Sequence, residues 1–308
     1  MKIIVLAAAE RGRRCLAALY ESITDEDDVI VFTFKETQWE PPFVSDIDEI
    51  AKLNNSKFFV TSKVHSDEYS EYWQSGCDVI FVIGWRYLIP SSVYNSAKLG
   101  CFVFHDSYLP NYRGFGPTVW AIRNGEEYTG TTLFKISEEM DEGAVLYQSK
   151  IKIKDDEYIS DVMEKITSEN EVIIKKAYRD AKINKITFSE QDHSRATYTC
   201  KNIPDDFKID WSSTALAIRN LIRAYSKPYS GAFTYLDGKK LKIWSADIEV
   251  VSNYIGYIPG RVKSINQDGT VTVFCGKNSA LKLKYVSLEQ SKAVLAKNVI
   301  KSISSTLT

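Results

Sequence analysis

Ile3-Ile-Val-Leu-Ala7 is a short, unbroken apolar run, and the residues from Arg11 to Ser22 then place Cys15, Leu16, Leu19 and Tyr20 at helical spacing. A run of that length without polar alternation marks a strand buried on both faces, and the spacing after it marks an amphipathic helix. Working outward, Asp28 to Phe34, Lys57 to Val60 and Asp78 to Gly84 repeat the strand signal. This βαβα rhythm predicts an α/β fold, an open and mostly parallel Rossmann-like sheet with helices on both faces. Gly130 to Ile136 and Ala144 to Ile153 are rich in β-formers and extend the sheet, and Ser160 to Ala181 reads as a long helix.

Residues 183 to 210 are polar and irregular and read as a linker. Ser212 or Ser213 is then expected to cap a helix running to about Ser226. Beyond it, short β-rich runs are separated by turns at Asp237-Gly238 and Asp268-Gly269, which predicts a smaller, mainly antiparallel β-domain with a closing helix. The expected division is a catalytic domain over 1–200 and a β-domain over 201–308, in keeping with a length of 308 residues.

The formal net charge of −1 gives no global pull toward nucleic acid or membrane. Residues 201–308 hold 16 Lys+Arg against 8 Asp+Glu, but these are spread through strand-like and helix-like segments and read as solvated faces. Five cysteines without close pairing or metal-ligand spacing read as reduced thiols of a cytoplasmic protein. The apolar start is too short for a secretory core and runs at once into Glu10, Arg11, Arg13 and Arg14, and no stretch has the length of a membrane span. After the first strand stands Ala7-Ala-Ala-Glu-Arg-Gly12, not a dinucleotide-binding glycine pattern, and three histidines are too few for a histidine-rich metal site. Neither a nicotinamide or flavin cofactor nor a metal is expected.

The candidate site is Cys101-Phe-Val-Phe-His105-Asp-Ser-Tyr-Leu-Pro110-Asn-Tyr-Arg-Gly114, continued by Glu139-Met-Asp141-Glu-Gly143. An apolar strand ends on a histidine, a Pro- and Gly-punctuated loop follows, and an acidic loop returns after the next strand. In open parallel sheets ligands collect beyond the carboxyl ends of the strands, so this end and Gly84-Trp-Arg-Tyr-Leu-Ile-Pro90 are the two places to expect one. A histidine suits proton transfer near neutrality, and a carboxylate beside it orients the ring and stabilises its protonated form. This pattern fits acyl or proton transfer without deciding between them.

The block His105 to Glu126, with Thr129-Gly-Thr-Thr132 and Met140-Asp-Glu-Gly143, resembles the folate-dependent formyltransferases, and within them most resembles the sugar N-formyltransferases. Asp78 to Pro90, Ile209-Asp-Trp211 and Pro228 to Thr234 carry the resemblance over most of the chain. It implies transfer of a formyl group from 10-formyltetrahydrofolate to a primary amine of a nucleotide-linked amino-deoxysugar, with no metal and no covalent enzyme intermediate. It implies His105 and Asp141 as catalytic residues. Trp85, Arg86, Tyr87, Ile89, Ile136, Glu138 and Asp141 are implied on the folate side, and Ser107, Tyr112, Arg113 and Gly114 on the acceptor side. The same resemblance implies a role in surface-polysaccharide synthesis, no nucleic-acid or membrane partner, and a homodimer as one assembly. The chain departs from the pattern two residues before the histidine, where the family has an asparagine that donates to the formyl oxygen and this chain has Val103. Such a donor is commonly worth about 3 kcal/mol. A methionyl-tRNA formyltransferase and a catalytically weak binding or regulatory relative are the alternatives.

Overall fold

Alternation along the strands sorts the apolar residues to two sides of one sheet. The computed structural model describes residues 1–37, 41–252, 254–289 and 291–308. Its first elements are β1 (Lys2–Ala7), α1 (Ala9–Tyr20), β2 (Asp28–Thr33), α2 (Val44–Leu53), β3 (Lys57–Val60), α3 (Ser70–Gln74), β4 (Cys77–Ile83), α4 (Ser91–Tyr94) and β5 (Ala97–His105). They continue through β6 (Arg113–Gly114), α5 (Pro117–Asn124), β7 (Tyr128–Lys135), β8 (Val145–Lys152) and α6 (Ile159–Lys182). The sheet order is β3-β2-β1-β4-β5-β7-β8. The first five strands run parallel and β7 joins β5 antiparallel.

On one face Ile3, Val5, Val79, Phe81, Phe102 and Phe104 meet Leu16 and Leu19 of α1, Ile47 and Ala51 of α2, and Ile174 and Ala177 of α6. The residues between them, Ile4, Leu6, Ile80, Val82 and Cys101, meet Tyr72 and Trp73 of α3 and Val93 of α4 on the other face. Each large side chain so buried stabilises the fold by about 2 kcal/mol. The Rossmann-like sheet with helices on both faces is therefore the fold. Strand order reverses between β1 and β4, which opens the crevice at the carboxyl ends where such sheets hold ligands.

Asp27 ties this unit together from a fully buried side chain. It accepts from the Met1 ammonium at 2.7 Å, Tyr178 Oη at 2.7 Å, Lys182 Nζ at 2.9 Å and the Thr24 N–H at 2.8 Å. Burial alone would push its carboxyl up, but these donors outweigh it and hold the group well below the usual carboxylate range. A depressed carboxyl contributes stability above its unfolded value, about pH 4, and loses that contribution as pH falls toward its folded one. Thermal unfolding followed from pH 6 to 2 should show a steep loss of stability below about pH 4. Asp27→Asn should flatten that slope, and an unchanged slope would sink the assignment.

The rest of the chain adds β9 (Tyr198–Thr199), α7 (Ala215–Tyr225), β10 (Ala232–Leu236), β11 (Lys239–Glu249), β12 (Val262–Ile265), β13 (Val271–Cys275), β14 (Ser279–Leu288) and β15 (Val294–Leu295). The last six strands form a second, antiparallel sheet, β10-β11-β14-β13-β12, with β15 on β14. The chain divides into two compact units. One holds Met1–Gly114, Gly130–Ile151 and Glu164–Tyr198, and the other holds Phe115–Thr129, Lys152–Met163 and Thr199–Thr308.

Two expectations for the second unit are corrected. The cap of α7 is Thr214, whose hydroxyl accepts from the Ala217 N–H at 3.2 Å. Ser212 and Ser213 are instead held by Asp210, which takes the Ser212 N–H and both hydroxyls and so uses them in a turn before the helix. The closing helix is a single 3₁₀ turn, Ala296–Asn298. All five cysteines are free, and none of the helices among the described residues is long and apolar enough to cross a membrane.

Candidate active site

His105 is the last residue of β5, on the same face of the strand as Val103, and is 8% exposed. Its Nε2 lies 2.8 Å from Tyr112 O, which can only accept, so Nε2 carries a proton in that bond. Its Nδ1 faces Asp141 Oδ2 at 3.5 Å. Both ring nitrogens are therefore aimed at acceptor oxygens, Nε2 in a hydrogen bond and Nδ1 in a longer contact. Tyr112 O thus occupies the acceptor position opposite the Nε2 proton.

Asp141 reaches His105 from the turn between β7 and β8. Its backbone is left-handed, with φ of 57°, and its Oδ2 also accepts the Gly114 N–H at 2.7 Å. Two residues on, only glycine fits, because a Cβ at Gly143 would stand 1.7 Å from Lys135 O. The glycine two residues after Asp141 is therefore a packing requirement of this turn.

The loop after His105 is tied down at nearly every residue. Asp106 takes the Arg11 guanidinium of α1. Ser107 is buried and donates its hydroxyl to Asn111 O at 2.6 Å, while its own carbonyl accepts from Thr132 Oγ1 at 2.7 Å. Tyr112, half-buried with φ of 59°, donates its N–H to Thr197 Oγ1. Arg113 is fully buried, so its guanidinium lies beneath the loop surface.

On the side expected for folate, Trp85, Ile89, Ile136 and Val103 belong to one apolar cluster at the carboxyl ends of β4 and β5. The Ile136 N–H is bonded to Cys101 O at 2.8 Å, which holds the next loop against β5. Tyr87 and Trp85 both meet the Phe34 ring edge-on, and the Arg86 guanidinium lies 4.5 Å from the centre of that ring. The buried indole Nε1 of Trp85 has no hydrogen-bond partner among the described residues. Ile136 and Glu138 line a cavity of about 490 Å³ with Glu142, Gly143, Glu190 and His193, on the Asp141 turn.

The structure so brings together His105 with Tyr112 and Asp141 with Gly114 as two hydrogen-bonded pairs joined by the His105–Asp141 contact, and Trp85, Ile89 and Ile136 in one apolar patch. Arg113 and Ser107 lie under the loop between them. Sequence reasoning missed Gln191, His193 and Tyr198, which the segment read as a linker delivers to Arg113. Polar contacts to a residue distant in sequence leave no periodic mark, and nothing local sets these three apart from the polar residues around them.

Two family models match the chain: Formyl transferase over residues 1–178, and Formyl transferase, C-terminal domain, over residues 202–304. A methionyl-tRNA formyltransferase of Lachnospira eligens is 35% identical over 221 residues, which is 70% of this chain and 68% of that protein. The bifunctional polymyxin resistance protein ArnA of Wigglesworthia glossinidia brevipalpis is 30% identical over 306 residues, and the match spans 99% of this chain but 45% of that protein. Among solved structures, WlaRD, a sugar 3N-formyl transferase, superposes with a TM-score of 0.67 at 18% identity, covering 95% of this chain and 99% of its own. The N-formyltransferase from Helicobacter canadensis gives 0.68 at 18% identity, covering 92% and 98%. With both domain models matched in order along it, the chain belongs to the formyltransferase family and is a folate-dependent formyl-transferring enzyme.

Proposed function

We propose that the chain moves the formyl group of 10-formyltetrahydrofolate to the primary amine of a nucleotide-linked amino-deoxysugar, using His105 and Asp141. The observation that carries this reading is the His105–Asp141 contact at the carboxyl end of β5, flanked by the apolar patch of Trp85, Ile89 and Ile136 and by the ordered loop from Ser107 to Gly114. The Helicobacter canadensis protein was solved with folinic acid and dTDP-3-aminofucose, and WlaRD with dTDP and 5-N-formyl-THF. Both span nearly the whole of this chain. The loop Tyr112-Arg-Gly-Phe-Gly-Pro117 with Trp120-Ala-Ile122 adds a sequence likeness to the sugar branch.

In this mechanism an unprotonated amine attacks the formyl carbon. The oxygen acquires negative charge and takes the Nε2–H of His105 in place of Tyr112 O, while Asp141 stabilises the ring's positive charge from the Nδ1 side. The new C–N bond forms, the bond to N10 breaks, and a proton passes from the incoming amine to the leaving N10 with His105 as carrier. The pterin is assigned to the patch between the Trp85–Ile89 loop and the Ile136–Asp141 turn, with Arg86, Tyr87 and Glu138 at its margin. Ser107, Tyr112, Arg113 and Gly114 form the loop on the acceptor side, Ser107 and Arg113 from beneath it. No protein nucleophile and no metal enters a step. The role in surface-polysaccharide synthesis and a cytoplasmic setting follow from this substrate class.

Val103 places an isopropyl group in the apolar patch beside His105, so it offers no side-chain proton to the formyl oxygen. His105 is therefore the donor. Val103→Asn should be tolerated and leave turnover within about tenfold of the parent, because a positioned donor already exists. A gain of about a hundredfold or more would show an empty oxyanion site.

A second reading, formylation of methionyl-tRNA, is supported by the names of the 35% and other curated relatives. The two separate in one pair of assays. Tetrahydrofolate release with a panel of nucleotide-linked amino sugars supports the first reading. Tight, salt-sensitive filter binding of initiator tRNA without sugar turnover supports the second. Folate binding without turnover on either acceptor would mark a non-catalytic relative.

A further inference from the structure

Gln191 comes from the polar segment after α6 and is 6% exposed, yet both ends of its amide are fully used. Its Nε2 donates to Asp141 O at 2.8 Å and to Gly143 O at 2.7 Å. Its Oε1 accepts from Arg113 Nη2 at 2.8 Å and Nε at 3.3 Å. Arg113 is 0% exposed and also donates to Glu142 Oε1, Tyr198 Oη and His193 Nδ1, at 2.7, 3.1 and 3.1 Å. Its own backbone N–H is bonded to Thr197 O.

Asp141 is thus gripped twice. Gln191 holds its carbonyl and the carbonyl two residues on, and Gly114, the residue after Arg113, holds its carboxylate. Both grips run through Arg113, by its side chain and by its chain neighbour. The arrangement matters because Asp141 has a left-handed backbone, which costs an L-residue about 1 kcal/mol and persists only when its surroundings over-determine it.

We propose that Gln191, seated on the buried Arg113 guanidinium, is the positioning residue that sets Asp141 against His105. The proposal rests on the reading of His105 and Asp141 as the catalytic pair. Gln191 touches no reacting atom and acts through the turn. Arg113 serves it as a buried anchor, and the pull of Glu142, Tyr198 and His193 keeps that anchor in one rotamer.

The test uses Gln191→Glu, which keeps the shape and the acceptor for Arg113 but removes both donors to the turn. It is made in the full chain, alone and combined with Asp141→Asn, and scored by transfer kinetics and by the ring ¹⁵N resonances of His105, one of three histidines. Gln191→Glu is expected to lower kcat by about 100-fold, with KM for both substrates within about twofold. In the Asp141→Asn background it should add less than about twofold, since the residue acts through Asp141. The His105 resonances should move toward those of Asp141→Asn. Equal losses in the two backgrounds, a loss confined to KM, or unmoved His105 resonances would overturn the proposal. Failure of the catalytic-pair reading looks different, because Asp141→Asn itself would then turn over normally. The resonance arm needs no acceptor and still decides whether Gln191 sets the contact. Gln191→Ala, compared by thermal unfolding, separates loss of the anchor from loss of the fold.

Discussion

Replacing His105 with alanine should lower formyl transfer by about 10³-fold or more and leave the fold in place. The substitution removes the proton on Nε2 that would meet the formyl oxygen and removes the carrier between incoming amine and leaving nitrogen. The structural cost is smaller. His105 is buried, but its ring makes one hydrogen bond, to Tyr112 O, and one contact with Asp141. Loss of a single such bond costs about 1 kcal/mol, a shift of a few degrees in unfolding temperature. Circular dichroism and a thermal melt should therefore show a folded protein. Activity within about tenfold of the parent would remove His105 from the chemistry.

Asp141→Asn should cost about 10² to 10³-fold in kcat, with little change in KM. The asparagine keeps the shape and can still accept the Gly114 N–H through its oxygen, so the turn survives. What goes is the negative charge opposite Nδ1. Stopped-flow or steady-state assays at saturating folate check this directly. A mainly KM effect would instead place Asp141 in binding.

The sheet was legible because its evidence is periodic. Unbroken apolar runs such as Ile3 to Ala7 and Asp78 to Gly84 have few other uses, and the helix between β1 and β2 shows its buried stripe plainly. The same reasoning placed the Asp237-Gly238 and Asp268-Gly269 turns, since those dipeptides supply the positive φ that tight hairpins need. It failed at the start of α7, where Ser212 and Ser213 looked able to cap but are drawn into a turn by Asp210, two residues before Ser212, leaving the cap to Thr214. It also failed at Gln191, His193 and Tyr198. Their partner, Arg113, is 78 to 85 residues away in sequence, and no local pattern carries information over that separation. His105 and Asp141 stood out as a candidate pair because strand end, rigid loop and acidic turn follow one another in chain order. That their side chains meet depends on the turn at Asp141 folding back over β5, which chain order alone does not fix.

The most direct measurement follows a ¹³C-labelled formyl group from 10-formyltetrahydrofolate into product, with nucleotide-linked amino sugars and initiator methionyl-tRNA offered in parallel. The label should appear as a formamide on the sugar amine, with tetrahydrofolate released in step, and should fail to appear with the His105→Ala enzyme. Label found only on methionyl-tRNA, or released only as formate, would contradict the assignment.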